Sequence, residues 1–142
     1  MRYPAIVTRE GKYDVAVFHF ADGSECASQA GPGESIEAMA AEALEGRLRS
    51  YLGDRETPPH PARISARRKV LWVSVPAQLA AKIAMRWTRE SLGLSQGDLA
   101  RRMGVTRQQV VKWESPKSNP GLEVLDRLAH AMNATLDVRF EH

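Results

Sequence analysis

The chain of 142 residues contains one cysteine, Cys26, so it cannot form an internal disulfide. Only 6% of its residues are aromatic, and it has no run of about 18 apolar residues, the length that a membrane-spanning helix needs. The first ten residues lack the apolar region and the cleavage site of a signal peptide. We therefore expect a cytoplasmic protein without a membrane partner, and we interpret Cys26 as a small buried or half-buried strand residue rather than a nucleophile.

Motifs of enzymes and of metal sites are also missing. Three histidines have neither an i, i+4 partner nor a cysteine partner that would indicate zinc: His60, His130 and His142. Four carboxylates would be available to a metal-dependent nuclease: Asp14, Asp22, Glu25 and Glu42. We interpret these four as ordinary surface acids, and His19 as a packed or interface residue. We therefore expect no enzymatic activity, no metal and no cofactor.

The charge of the chain is divided unevenly between its two halves. Apolar residues make up 43% and charged residues 26%, which favours a folded protein. Residues 1–60 carry 6 Lys and Arg against 10 Asp and Glu, a net charge of −4. Residues 61–142 carry 14 against 7, a net charge of +7, and the two values give the total of +3. A basic second half indicates a phosphate backbone as its partner, and the acidic first half indicates a different one.

Two helix starts lie close together between Ser95 and Glu114, with one glycine between them. Ser95 can cap a first helix in a capping box with Asp98, and Thr106 can cap a second. Gly104 can form the turn, since glycine takes the left-handed conformation without steric cost. Six apolar side chains fall where two such helices need contacts: Leu99, Ala100, Met103, Val105, Val110 and Trp113. The stretch resembles the helix-turn-helix of the Xre/Cro-type repressors.

The second of these helices presents side chains that suit the major groove of double-stranded DNA. We expect Arg107 and Gln108 to read base edges, whereas Gln109 either reads a base or belongs to a capping box. Gln96, at the start of the first helix, is expected to contact a phosphate. Arginines 101 and 102 either approach a phosphate or stay solvated. The predicted DNA-binding set is completed by residues at the start of the second helix, on it and in the loop after it: Thr106, Lys112, Lys117, Ser118 and Asn119.

Strand and helix patterns alternate along the rest of the chain. The predicted elements outside the helix-turn-helix are strands at 3–8, 13–20, 25–30, 70–75 and 135–140, and helices at 35–52, 76–91 and 122–132. Three prolines among residues 57–61 predict a stiff connector. The last strand has no neighbour in a helical domain, so we expect it to pair either with residues 70–75 or with a second chain across a two-fold axis.

The order of these features resembles that of the HicB antitoxins that carry an Xre-type C-terminal domain. The features are a Met-Arg-Tyr-Pro start, a β-hairpin, an acidic helix, a Pro-Pro-x-Pro connector and the stretch Val-Ser-Val-Pro-Ala-Gln-Leu-Ala-Ala-Lys-Ile. The resemblance implies an α+β fold, in which a partial ribonuclease-H-like β-β-β-α(-β) domain precedes a mainly helical helix-turn-helix domain with a C-terminal strand. Residues 21–25, Ala-Asp-Gly-Ser-Glu, depart from the Asp-x-Pro-Gly stretch that the family usually has there.

The same resemblance implies a division of labour along the chain. Residues 1–62 would bind a HicA-like toxin, residues 63–75 would form a linker and a strand, and residues 76–142 would bind operator DNA and dimerise. The implied protein is an antitoxin that neutralises an mRNA-cleaving toxin and represses its own operon as a homodimer; a higher oligomer through the N-terminal domain stays open. The alternative is a stand-alone Xre-type transcriptional repressor whose N-terminal domain senses a small ligand.

Overall fold

The structure is a computed structural model that describes residues 1–65 and 67–142. The chain forms two compact units, Met1–Ala77 and Gln78–His142. Its elements are, in order, β1 (Arg2–Glu10), β2 (Tyr13–His19), β3 (Glu25–Ala30), α1 (Ile36–Gly53), β4 (Val70–Ser74), α2 (Ala77–Ser91), α3 (Gln96–Met103), α4 (Arg107–Glu114) and α5 (Leu122–Ala131). This order confirms the predicted α+β layout. None of the helices in the described residues is long and apolar enough to cross a membrane.

The first unit contains a four-stranded antiparallel sheet with the order β3-β2-β1-β4. Strand β1 lies in the middle, where Ala5 is paired with Phe18 of β2 on one side and with Leu71 of β4 on the other. The sequence predicted a linker and a strand at residues 63–75, separate from the first domain. In the structure, this strand is β4, and it belongs to the sheet of the first unit. The connector after α1 is therefore an internal part of the first unit.

Helix α1 covers one face of this sheet. The Ser35 hydroxyl caps the helix by accepting a hydrogen bond from the N–H of Ala38, as the sequence predicts. Four side chains on its inner face are buried: Ala40, Leu44, Leu48 and Leu52. On the other face of the sheet, Ile6 and Val17 are paired neighbours that stay half-buried, and Trp72 of β4 is 60% exposed. One face of the sheet is thus the core, and the other keeps apolar surface in reach of solvent.

The proline-rich connector is fastened to the sheet by Tyr3. Its hydroxyl donates a buried hydrogen bond of 2.7 Å to the carbonyl of Pro59, and its ring stands edge-on to that of Phe20 at a centroid distance of 5.8 Å. Burial raises the pKa of the Tyr3 hydroxyl, which keeps it protonated as a donor. Phe20 in turn forms an isolated bridge with Pro61. The stiffness predicted for the connector is therefore combined with specific anchoring.

The prediction of a strand at residues 135–140 is wrong for the single chain. Helix α5 is followed by Asn133 in the left-handed conformation, as expected, with φ 53°. No strand occurs beyond it in the described residues, and Val138 and Phe140 are 58% and 100% exposed. A strand needs a hydrogen-bonded neighbour, and β4, one of the two partners considered, is paired with β1 in the first unit. The segment keeps its alternating apolar pattern without a strand neighbour among residues 1–65 and 67–142.

Candidate nucleic-acid interface

Helix α3 begins and ends with the local interactions that its sequence predicts. The Ser95 hydroxyl accepts from the N–H of Asp98 at 3.0 Å, and the Asp98 carboxylate accepts from the N–H of Ser95 at 2.8 Å. The bond from the Ser95 N–H and a second one with its side chain lower the pKa of Asp98. Gly104 ends the helix in the left-handed conformation, with φ 68°. Both ends of α3 are thus determined by residues next to it in sequence.

Helix α4 begins at Arg107 behind the cap residue Thr106. The Thr106 hydroxyl accepts from the N–H of Gln109 at 3.2 Å. In a complete capping box, the N–H of the cap residue also donates to the side chain three positions later, as the Ser95 N–H does to Asp98. Among the described residues, the Thr106 N–H makes no such bond to the Gln109 side chain. The capping alternative for Gln109 is therefore not adopted, and its half-buried amide lies on the same helix as the exposed Gln108.

An apolar cluster fixes the angle between the two helices. Its buried members come from α2, α3, α4 and the α5 region: Met85, Leu99, Ala100, Val110, Leu128 and Met132. Met103, Val105 and Trp113 are partly buried and pack against it. All six apolar positions predicted for the helix-turn-helix thus belong to one core, and Trp113 is a packing residue.

A buried ion pair reinforces this core, and the sequence did not predict it. Glu114, the last residue of α4, is 3% exposed. Its carboxylate accepts two hydrogen bonds from the Arg89 guanidinium, at 2.6 and 3.2 Å, and one from the Gln96 side-chain amide at 2.8 Å. Arg89 also donates to the carbonyl of Leu94 at 2.8 Å. One carboxylate therefore joins the ends of α2 and α4 to the start of α3.

The spacing of the basic residues along α2 could have indicated that they are buried. Lys82, Arg86 and Arg89 share the buried side of the helix with Leu79 and Ile83. Their positions follow the same three- and four-residue spacing as the apolar residues. A search for apolar stripes alone overlooks such residues, because it assigns every charge to the solvent side.

Most of the predicted DNA-binding set is exposed on one stretch of the second unit. Six of its members are exposed: Thr106, Arg107, Gln108, Lys112, Lys117 and Asn119. Three are half-buried: Gln96, Gln109 and Ser118. The Gln96 amide is engaged with Glu114, and the Ser118 hydroxyl is near the carbonyls of Trp113 and Ser115, at 3.0 and 3.1 Å. These two side chains support the interface from within, and their phosphate contacts stay predictions.

The two adjacent arginines of α3 lie in different surroundings. Arg101 has a side chain that is 76% exposed and forms an ion pair with Asp98 one turn earlier. Arg102 donates to the carbonyl of Ala131 at the end of α5, at 3.1 Å. Arg101 is therefore the more accessible of the two for a phosphate, whereas Arg102 stabilises a helix end.

The carboxylates of the first unit have separate local partners. Asp14 pairs with Arg9 at 3.0 Å, and Glu25 pairs with His19 at 2.9 Å. Asp22 accepts from the backbone and the hydroxyl of Ser24, and these bonds lower the pKa of Asp22. Within residues 1–65 and 67–142, no three acidic, histidine or cysteine side chains come together as a metal site would require.

These features define a class of protein: a small α+β unit joined to a helix-turn-helix DNA-binding unit. Residues 2–84 match the family model described as a HicB-like antitoxin of a bacterial toxin-antitoxin system, and residues 85–138 match a helix-turn-helix model. The chain belongs to the HicB-like antitoxin family.

Two similar proteins are described in the same terms, one as an antitoxin and one as a helix-turn-helix regulator. It is 29% identical to Antitoxin HicB 1 of Photorhabdus laumondii, over 99% of this chain and 88% of that protein. A shorter match, 42% identical, links 34% of this chain to 70% of an uncharacterized HTH-type transcriptional regulator of Methanothermobacter thermautotrophicus.

We predict that Glu114→Ala lowers the free energy of unfolding of the second unit by about 3–5 kcal/mol, because it removes the buried carboxylate that accepts two hydrogen bonds from the Arg89 guanidinium. Urea denaturation followed by tryptophan fluorescence measures the effect, since Trp87 and Trp113 lie in this unit. The control is Arg101→Ala, which removes an exposed ion pair and should cost less than about 1 kcal/mol. Equal losses in the two variants would contradict the structural role of the buried pair.

Proposed function

We propose that this chain neutralises a HicA-like mRNA-cleaving toxin through its first unit and represses its own operon through its second. The observation that carries the proposal is the exposed set Arg107, Gln108 and Lys112 on α4. A capped and ion-paired helix-turn-helix holds these side chains in place, as a reader of the major groove requires. We propose that the protein acts in the cytoplasm, and we assign no catalytic step to either unit.

The first unit is the proposed toxin-binding part. The match to the HicB-like antitoxin model covers residues 2–84, which include the whole sheet and α1. Residues 1–60 carry a net charge of −4, which suits a basic partner such as a protein that binds RNA. Helix α1 covers one face of the sheet, and on the other face Trp72 is 60% exposed.

The second unit is proposed to bind double-stranded operator DNA with two kinds of contact. Arg107 and Gln108 lie at the start of α4, where a recognition helix contacts base edges, and Gln109 is a further candidate reader. Lys112 and Lys117 are exposed cations suited to phosphates, and Asn119 lies in the same loop as Lys117. The two kinds of contact have different thermodynamic signatures, which allows each residue to be tested.

Dimerisation is proposed to use the C-terminal segment. One helix-turn-helix covers one half-site, so an operator with two-fold symmetry needs two copies. Residues 135–140 alternate Leu136, Val138 and Phe140 with polar residues, and Phe140 is fully exposed. Pairing of this segment with its symmetry mate would supply the missing strand neighbour and cover the exposed apolar side chains.

A ligand-sensing repressor is the second candidate function, and one feature favours it. An open groove between β3 and α1 is lined by Cys26, Ser28, Glu42, Arg47 and their neighbours. Burial raises the pKa of the Cys26 thiol, so this side chain contributes a neutral surface to the groove. A small-molecule sensor would place its ligand here, whereas an antitoxin needs no occupant in this groove.

We predict that the chain co-purifies with a small basic protein encoded beside it and abolishes that protein's cleavage of RNA in vitro. Gln108→Ala serves as the control, because a change in the DNA-reading unit should leave neutralisation intact. If the full chain neither binds nor inhibits its neighbour, the antitoxin proposal fails and the ligand-sensing repressor becomes the better explanation.

For DNA, we predict that Gln108→Ala weakens binding to the chain's own promoter by ~1–3 kcal/mol and leaves binding to random DNA unchanged. Lys117→Ala should instead weaken both by a similar factor and reduce the slope of log affinity against log salt by about 1. Footprinting and fluorescence anisotropy at several salt concentrations measure both effects. A similar loss on promoter and random DNA for Gln108→Ala would remove it from the base-reading set.

We predict that deletion of residues 135–142 converts a dimer into a monomer and weakens binding to a two-half-site promoter while binding to one half-site persists. Light scattering gives the mass, and anisotropy gives the affinities. The helices end before this segment, so the second unit should stay folded. A truncated chain that remains dimeric would place the interface elsewhere.

A further inference from the structure

Lys82 is another of the buried cations on the inner side of α2, and it is 2% exposed. Its ammonium donates to three backbone carbonyls: Ser118 at 2.6 Å, Pro116 at 3.0 Å and Ser115 at 3.2 Å. A lysine ammonium has three donors and no acceptor, so these three carbonyls match its full donor capacity. Because the side chain is enclosed, Lys82 acts on its surroundings and does not reach DNA itself.

The three carbonyls belong to the loop that follows the recognition helix. Ser115 is the C-terminal cap of α4, where a positive charge is favourable because the helix dipole is negative. The loop is also closed on itself, since the N–H and the hydroxyl of Ser118 approach the Ser115 carbonyl at 3.2 and 3.1 Å. Lys82 thus holds a compact loop against the end of α4.

This arrangement determines where the N–H groups of the loop point. In a trans peptide the C=O of one residue and the N–H of the next point in opposite directions. The carbonyls of Pro116 and Ser118 face Lys82, so the N–H groups of Lys117 and Asn119 face away from it. Lys117 and Asn119 are both exposed, and the Lys117 N–H makes only a long bond, 3.4 Å, to the Ser115 hydroxyl. Outward N–H groups beside an ammonium suit a phosphate.

We propose that Lys82 is a positioning residue for DNA: it holds the loop at residues 115–119 so that the N–H groups of Lys117 and Asn119 bind a backbone phosphate. This inference rests on the proposed DNA-binding function. Sequence preference should not depend on it, because the base readers Arg107 and Gln108 lie at the other end of α4.

The test is the full-length variant Lys82→Met, which keeps the length of the side chain and removes the three donors. We expect about a tenfold loss of affinity for promoter DNA and for random DNA alike, the size of one lost charge-assisted hydrogen bond. The salt slope should fall by about 1, because a displaced loop also removes the Lys117 ammonium from its phosphate. The matched control Arg127→Met removes one exposed cation from α5 and should leave affinity and slope close to wild type.

A double-mutant cycle separates positioning from general stability. If Lys82 acts through the loop, Lys117→Ala should cost little more in the Lys82→Met background, whereas a purely structural role gives additive losses. Additive losses, or binding by Lys82→Met equal to wild type, would overturn the proposal. If wild-type protein binds no DNA, the proposed function itself has failed, and the inference fails with it.

A measurement on the unmodified chain covers the case in which Lys82→Met does not fold. Titration of ¹⁵N-labelled protein with a short duplex of random sequence should shift the backbone amide signals of Lys117 and Asn119. The Lys82 ammonium protons should stay protected from exchange throughout, since its three acceptors are internal. Binding without a change at either amide would overturn the proposal.

Discussion

The second unit depends on one buried carboxylate. Glu114 ends the recognition helix in an apolar core, where an ionised group is costly unless it is paired and hydrogen-bonded. A two-point contact with Arg89 and a third bond from Gln96 meet that requirement. Because the three side chains come from three helices, the pair can form only when α2, α3 and α4 are correctly placed. The apolar cluster packs the helices against one another, and the ion pair links the ends of α2 and α4 to the start of α3.

Two of the three buried cations on α2 hold the end of α4 and the loop after it. Arg89 binds the last side chain of α4, and Lys82 binds the carbonyls just beyond it. Lys82 lies in the segment matched by the antitoxin model, residues 2–84, whereas its acceptors lie in the helix-turn-helix match at 85–138. The two family segments therefore share the packing of a single unit, and the boundary between the matches is not a boundary between folding units.

Local features were predictable from sequence, and features that depend on partners were not. The caps at Ser95 and Thr106 and the turn at Gly104 depend on neighbouring residues, so the pattern carried enough information. The buried role of Lys82 and Arg89 was missed, because the acceptors that offset their burial lie about 25 to 36 positions away. The prediction of a strand at residues 135–140 was wrong for a different reason. Its alternating pattern is present in the sequence, but the described residues of the single chain form no strand beside it.

The central position of β1 has a consequence for the order in which the protein is made. Its outer neighbour β4 begins at Val70, 60 positions after the end of β1 at Glu10, so the sheet cannot be completed until residue 74 has been synthesised. Domains generally fold as units, the N-terminal one first, while the chain emerges from the ribosome. The antitoxin-like unit can therefore fold before α4 has left the ribosome. A nascent chain can thus fold the antitoxin-like unit earlier than the helix-turn-helix unit.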